Sequence, residues 1–471
     1  MAYTQNNVRI LDKKEFQTMA NVPAASAAGT TCVGPVTGDS RFTLWITSAT
    51  VMYIYDHMDD GWTLIPSGAL AGIFAVGTCG TRHPWSQTYT ANGGSTTTIT
   101  VSTATHALTG ICVGATIEFL SGTAANIGLR RTVTDFSISG TTATITFDPA
   151  ATAVVNTDTF RMTTGRFFVL NAYTSLAAGV WKSFDICSMT WSGNLTTTGL
   201  PAAWGTSGQA VTVYTTTDVF ATGTATSGSA TTLVNSAKSW TVDQWIGYQV
   251  RITAGTGRGQ VGVITDSAAT SLTFASGATI DSTSEYSIEG NEDRLYLLGN
   301  GVVTMYAYSI SGNSWSTISP VAARSSAPTT CMMANWVALT ENTAWDDEST
   351  IQAGKWIYSP RGAATSTMHR YNIPGNTWET VTSNITDTFT TGSSMLEYKG
   401  KLYINQNANG KIMTFNVPRN FLSGFATDHY TQSTAVIGDK MWVKTLDPTG
   451  SVAWIYYIGN TSNVVRRVMV F

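Results

Sequence analysis

"RYNIPGNTWETV" occupies residues 370–381, and nearly the same phrase, "AYSISGNSWSTI", occupies 307–318. Each reads as a strand, a tight turn rich in Gly, Asn and Pro or Ser, and a second strand. In each, a Tyr precedes a Trp by seven positions: Tyr371 and Trp378, Tyr308 and Trp315. The spacing recurs as Tyr55 and Trp62 in "IYDHMDDGWTLI" and as Phe184 and Trp191 in "SFDICSMTWSGN". Two further copies have lost the Trp. Phe415 is followed at seven by Leu422, and Tyr457 at seven by Val464.

Each copy has a strand-like run upstream: 42–47, 166–171, 294–299, 355–360, 401–406 and 440–445. These alternate large apolar and polar residues, as a half-buried strand does. A further run precedes some of them, such as "SSMLEY" (393–398) and "STAVIG" (433–438). Four strands per copy make the blade of a β-propeller. The sequence therefore predicts an all-β chain, a six-bladed kelch-like propeller. Its structural blade anchors are Tyr55, Trp62, Phe184, Trp191, Tyr308, Trp315, Tyr371, Trp378, Phe415 and Tyr457. A lone blade cannot bury both faces, so these rings are expected to pack against the next blade. The same Trp residues would be sugar-stacking platforms only in a glycan-binding protein. The stretch "NNVRIL" (6–11) is expected to add a strand to the last blade and close the ring.

The last three anchor intervals suit blades of about 40–50 residues. The first two, from Tyr55 to Phe184 and from Phe184 to Tyr308, are more than twice as long, so something is inserted in each. The inserts, 92–163 and 223–290, resemble each other. "GATIEFLSGT" (114–123) and "GYQVRITAGT" (247–256) align without a gap. Both continue through a Thr-Asp step, at 134–135 and 265–266, to "TATITF" (142–147) and "ATSLTF" (269–274). Two copies of a small β-barrel or β-sandwich module are expected, leaving equivalent loops of adjacent blades and projecting side by side from one face. Loops on a rigid scaffold are where partner contacts are placed. The organisation is then propeller (1–91), module 1 (92–163), propeller (164–222), module 2 (223–290) and propeller (291–471).

Bulk properties limit the function classes. Of 471 residues, 43% are hydrophobic but only 12% are charged, about half the usual share. The surface is therefore built largely from Thr, Ser, Gly and Asn, which suits packing into an assembly. The net charge is −3, with no Lys/Arg run, so no footprint for sequence-specific nucleic-acid binding is present. No apolar run reaches membrane-spanning length, and the N-terminus lacks the layout of a signal peptide. Folding in a cytoplasm is expected. Five cysteines, Cys32, Cys79, Cys112, Cys187 and Cys331, are an odd set without a close pair. They read as small buried apolar residues rather than as disulfides or zinc ligands.

Catalytic signatures are missing, and no catalytic, cofactor or metal residues are assigned. His57, His83, His106, His369 and His429 lack metal-ligand spacing. "GTGRGQ" (255–260) lies between strands and carries no Lys-Ser/Thr, so it reads as a hairpin turn rather than a phosphate loop. "AWDDEST" (344–350) places its carboxylates side by side, whereas a calcium loop alternates them. "SGNSW" and "PGNTW" lack the Asp of a sialidase Asp-box. A propeller enzyme of sialidase or oxidase type is the weakest of three readings.

The blades resemble a degenerate kelch repeat without its Gly-Gly pair. The stretches "QNNVRILDKKEF" (5–16) and "DDGWTLIPSGALAGIFAVGTCG" (59–80) resemble the opening of virion structural proteins of tailed bacteriophages. "WTVDQWIGYQVRITAGTGRGQVGVITDSAATSLTF" (240–274) resembles a module of phage head, neck and tail proteins. The resemblance implies a non-enzymatic, nozzle-like tail or neck subunit. Its partners would be copies of itself in a symmetric ring, a portal-proximal adaptor, and tail or fibre proteins. A glycan-binding receptor or capsid-decoration protein, touching host surface glycan, is the second reading.

Overall fold

The computed structural model describes 38 strands, nearly all of 86–163 and 219–289, and most of 294–328 and 356–381. Elsewhere it describes little beyond the strands and short turns. Residues 1–16, 34–41, 66–78, 105–112, 171–180, 201–208, 336–355 and 427–439 are the longer stretches outside that description. The expected strand at 6–11, the acidic run at 344–350, the run at 433–438 and Cys112, Cys187 and Cys331 therefore lie outside the described residues.

The described residues form an all-β molecule of eight sheets. Six have four antiparallel strands. In spatial order, the first sheet is Thr31–Val33, Phe42–Ile46, Met52–Asp56 and Gly61–Ile65. The second is Cys79–His83, Arg166–Leu170, Trp181–Asp185 and Thr190–Trp191. The third is Gln209–Thr212, Arg294–Leu298, Met305–Ser309 and Ser314–Ile318. The fourth is Ala334–Asn335, Trp356–Pro360, Met368–Asn372 and Thr377–Val381. The fifth is Met395–Tyr398, Lys401–Gln406, Lys411–Asn416 and Phe421–Ala426. The sixth takes Lys440–Thr445, Ala453–Ile458 and Val465–Val470 from the C-terminus, and its last strand, Gln17–Thr18, from the N-terminus. Gln17 pairs with Arg467 and Thr18 with Arg466, so an N-terminal strand does join the last sheet, at 17–18.

The seven-residue spacing has a simple cause. Tyr55 opposes Trp62, Phe184 opposes Trp191, Tyr308 opposes Trp315, Tyr371 opposes Trp378 and Phe415 opposes Leu422. Each hairpin has one more strand pair beyond that cross-strand pair, then a four-residue connection. The sixth copy departs from this pattern. Tyr457 opposes Arg466 rather than Val464, because the connection is longer by two residues. It also lies on the second strand of its sheet, whereas the other five anchors lie on the third.

The two inserts are seven-stranded sheets with the same topology. In module 1 the spatial order is Ser86–Thr90, Thr159–Thr163, Thr116–Ser121, Arg130–Ser139, Thr142–Asp148, Thr98–Ser102 and Gly93–Gly94. In module 2 it is Val219–Thr224, Glu285–Glu289, Gln249–Ala254, Val261–Ser267, Ser271–Phe274, Thr232–Val234 and Ser227–Gly228. Numbered along the chain, both read 1-7-4-5-6-3-2. In each, the end strands of the order are neighbours in sequence, two residues apart, so the sheet must curl until its ends meet. The module strands begin at Ser86 and Val219, a few residues before 92 and 223. The Thr-Asp steps also have a meaning. Both modules shift register there, between Val133 and Asp135 and between Ile264 and Asp266. A second pair of shifts falls at Phe119/Ser121 and Ile252/Ala254. Bulges at matched positions bend both sheets in the same way.

Both modules leave between the first and second strands of their sheets, the second and third respectively. Module 1 has its own core, which includes Ile99, Ile117, Phe119, Ile145, Phe147 and Phe160. The core of module 2 is continuous with that of the third and fourth sheets: Tyr248, Tyr286 and Ile288 share one cluster with Tyr296, Met305, Ile357 and Tyr371.

Candidate functional site

Two constructions give the molecule its specific contacts. The first is the repeated hairpin. All six anchor rings are buried, none more than 3% exposed. Tyr55–Trp62, Phe184–Trp191, Tyr308–Trp315 and Tyr371–Trp378 pack with ring centroids 4.8, 5.1, 4.8 and 5.3 Å apart. Four of the anchors meet a ring of the preceding sheet, where packing against the next was expected. Tyr308 meets Trp181 edge-on at 5.2 Å, Tyr371 lies 6.3 Å from Tyr296, Phe415 6.3 Å from Tyr358, and Tyr55 5.8 Å from Tyr456.

The last residue of the connection was missed by sequence reading. Asp60, Asn313 and Asn376 sit there in left-handed backbone, at φ 46°, 41° and 48°. Asn and Asp tolerate that region better than other side chains with a Cβ. Their Oδ1 atoms accept the hydroxyl of Tyr55 at 2.5 Å, Tyr308 at 2.7 Å and Tyr371 at 2.7 Å. The same oxygens of two of them take a backbone N–H from the segment arriving from the previous sheet: Ala20 to Asp60 at 3.0 Å, Thr196 to Asn313 at 3.0 Å. The indole N–H of the matching Trp then donates to the carbonyl of that same residue: Trp62 to Ala20 at 3.0 Å, Trp315 to Thr196 at 2.9 Å. Tyr, Asp/Asn and Trp thus form a clasp that holds both polar groups of one incoming peptide. In the third clasp the indole is replaced by backbone. Trp378 N–H donates to Ala322 O at 2.9 Å and Asn376 Nδ2 to Ser319 O at 2.8 Å. The signal was present in sequence as an Asp/Asn five positions after each of these three Tyr residues.

The second construction joins the modules. Glu118 of module 1 and Arg251 of module 2 are 3% exposed each, and Glu289 of module 2 is 1% exposed. Within module 1, Arg161 Nη2 donates to Glu118 Oε2 at 2.6 Å. Across the boundary, Arg251 Nη1 donates to Glu118 Oε1. Within module 2, Arg251 Nε reaches Glu289 Oε2 at 3.0 Å, with Gln249 and Ser287 also donating to that carboxylate. The boundary is crossed again by Arg130 of module 1, which donates to Glu289 Oε2 at 2.9 Å. The charges alternate in one row: Arg161, Glu118, Arg251, Glu289, Arg130. Burial would raise the Glu289 carboxyl, but Arg251, Arg130 and the Ser287 hydroxyl outweigh it and hold the group below its ordinary range. Burial lowers the Arg251 guanidinium, against the two carboxylates that raise it. Taking one partner from such a buried row leaves an uncompensated charge, at a cost of about 3–5 kcal/mol. The arrangement locks two domains together. Its signal in sequence was a charged residue at the same position, between apolar neighbours, of both copies: Ile117-Glu118-Phe119 and Val250-Arg251-Ile252.

The remaining candidates do not converge. Among the described residues no group of three or more His, Cys, Asp or Glu is placed to hold a metal ion. His57 Nε2 lies 2.7 Å from Thr43 Oγ1, and His369 Nε2 lies 2.9 Å from Ser325 Oγ, in different sheets. Residues 255–260 connect the antiparallel strands Gln249–Ala254 and Val261–Ser267, and no helix follows them.

No protein-family model matches the chain, and no curated protein matches it. Three solved structures illustrate the likenesses found. A structural-genomics protein of unknown function from Bacteroides thetaiotaomicron VPI-5482 is 12% identical, covering 81% of this chain and 84% of that one at a TM-score of 0.25. U3-55K is 7% identical, covering 97% and 98% at a TM-score of 0.37. A chain of the Mitotic Checkpoint Complex is 7% identical, covering 100% and 96% at a TM-score of 0.36. Identities and scores at this level assign no role to the chain.

Proposed function

We propose that the chain is a six-bladed β-propeller and a non-enzymatic structural subunit of a tailed-bacteriophage virion, repeated in the tail or neck. The paired modules are its docking element. The propeller reading is supported by contacts among the first strands of the six sheets. Thr31–Val33 lies against Cys79–His83, which lies against Gln209–Thr212, and the series continues through Ala334–Asn335, Met395–Tyr398 and Lys440–Thr445 back to Thr31–Val33. The pairing of Gln17–Thr18 with Val465–Val470 completes the sixth sheet with a strand from before the first, an arrangement that suits a closed ring.

The observation that carries the docking role is the row of buried charges between two like modules inserted at equivalent places in adjacent sheets. Two small domains free to swing would lose much of their binding energy to ordering, whereas a locked pair presents a preformed surface. The placement in a virion rests on the resemblance of 5–16, 59–80 and 240–274 to phage structural proteins. It accords with the low charge content, since repeated subunits meet through large uncharged surfaces. Closed rings of such subunits form through heterologous contacts. Mass spectrometry and cryo-electron microscopy of particles from the source of this sequence test the reading. The expected result is a symmetric ring of this chain at the portal vertex or tail. Absence from the particles overturns it, and glycan arrays with the purified chain then examine the receptor reading.

A further inference from the structure

The module contacts have a symmetry that neither module has alone. Phe119 and Ile252 occupy the same position of the two copies in the ungapped alignment. Gly128 N–H donates to Phe119 O at 2.8 Å, and Gly259 N–H donates to Ile252 O at 2.9 Å. Phe119 N–H donates to Leu129 O at 3.2 Å, and Ile252 N–H donates to Gln260 O at 2.9 Å. Gly128 and Gly259 are therefore structural equivalents, and so are their predecessors Ile127 and Arg258. Across the boundary, the Ile127 side chain lies 3.1 Å from where a Cβ on Gly259 would stand. The Arg258 side chain lies 3.3 Å from where a Cβ on Gly128 would stand. The same two positions thus touch in both directions, as in an isologous twofold dimer. Glu118 and Arg251 are also equivalent positions, and they bond to each other, which places them on the axis.

We infer that the two modules pair as a twofold dimer contained in one chain, and that the exchange of Glu for Arg on its axis makes each accept only the other. Two copies of module 1 meeting by this face would oppose two Glu118 carboxylates, and two copies of module 2 would oppose two Arg251 guanidinium groups. Buried like charges at that range are strongly unfavourable, so the substitution excludes self-pairing. The partner of each face is the other module of the same chain. In an assembly of many copies this face is already filled, and module-to-module contacts of like kind between subunits are excluded.

The test uses the full chain. The variants Ile127→Cys/Gly259→Cys and Gly128→Cys/Arg258→Cys are oxidised mildly and read on non-reducing gels, with peptide mapping to separate the new link from native cysteines. Both pairs should link, within the monomer, at rates within about threefold of each other. Hydrogen exchange on variants without added cysteine gives a second reading. R251E should speed exchange at least tenfold in both Thr116–Ser121 and Gln249–Ala254, with Lys401–Gln406 as the folding control. E118Q should give the same two-sided change at smaller size, and R251K should leave module 1 protected. Linking of neither pair or one pair only, links between copies, or loosening confined to the mutated module overturns the inference.

Discussion

The clasp residue decides how one sheet is tied to the next. Asn313 Oδ1 accepts both the Tyr308 hydroxyl and the Thr196 N–H from a left-handed backbone. Asn313→Ala removes two hydrogen bonds and leaves the left-handed backbone without the side-chain contacts that offset its strain, so it should destabilise by about 2–3 kcal/mol. Asn313→Asp should stay within about 0.5 kcal/mol, because Asp60 performs the same task in the first sheet. Urea denaturation of the two variants measures both. His369 is one source of pH dependence at the acid end, beside the Glu289 carboxyl. Burial, with Arg324 and Arg361 adding to it, pushes its imidazole down to about 4. Its folded value lies below the unfolded value of about 6.5, so its contribution is complete above pH 6.5 and falls away as pH drops toward 4. Between pH 7.5 and 4.5 the wild type should lose about 2–3 kcal/mol more than His369→Gln. An equal loss in both would show that His369 is not the group responsible.

At the scale of the element, matched glycines shape both modules. Gly122 and Gly255 follow the equivalent strands Thr116–Ser121 and Gln249–Ala254, at φ +103° and +73°. A Cβ on Gly122 would stand 2.0 Å from Asp158 Oδ1, and one on Gly255 would stand 1.8 Å from Thr283 O. The first obstacle is the carboxylate that caps Thr123 N–H at 2.7 Å, and the second is backbone. Gly122→Ala and Gly255→Ala should each cost at least about 2 kcal/mol, combining strain with displaced packing. Hydrogen exchange of each variant should rise first in its own module. The aligned "SGT" and "AGT" of the two copies displayed these glycines in sequence, but the crowding that requires them comes from residues about 30 positions away.

At the scale of the whole molecule, the two ends of the chain share one sheet. Met19 N–H donates to Val465 O at 2.9 Å, and Val22 packs with Tyr55, Trp454 and Tyr456. Removing residues 1–23 strips the last strand of the sixth sheet and the peptide held by Asp60 and Trp62. Exchange in Val465–Val470 should accelerate by two orders of magnitude or more, corresponding to a local loss of about 3 kcal/mol. If those amides stay protected, the N-terminal strand is not what holds the sixth sheet to the first. The same deletion should leave module 1 protected, because its core cluster contains no residue of the first or sixth sheet.

The sequence by itself determined the strand composition, the hairpin repeat and the duplicated inserts. These depend on short-range rules: alternation of apolar residues, turn chemistry, and a Tyr and a Trp that face each other across a four-residue connection. It also displayed Asp60, Asn313 and Asn376, whose role follows only once the copies are superposed. The sixth hairpin misled, because Tyr457 keeps its ring while the connection behind it has lengthened. The tertiary structure decided that Tyr55, Tyr308, Tyr371 and Phe415 face the preceding sheet and that Gln17–Thr18 pair with the last strand of the chain. It also decided which charges meet. Arg161, Glu118, Arg251, Glu289 and Arg130 span 172 positions of sequence, from Glu118 to Glu289 inclusive, and become one row only when two modules are folded and seated side by side. Electrostatic partnership depends on distance in space, so the local pattern marks Glu118 and Arg251 as charged strand residues without showing that they meet.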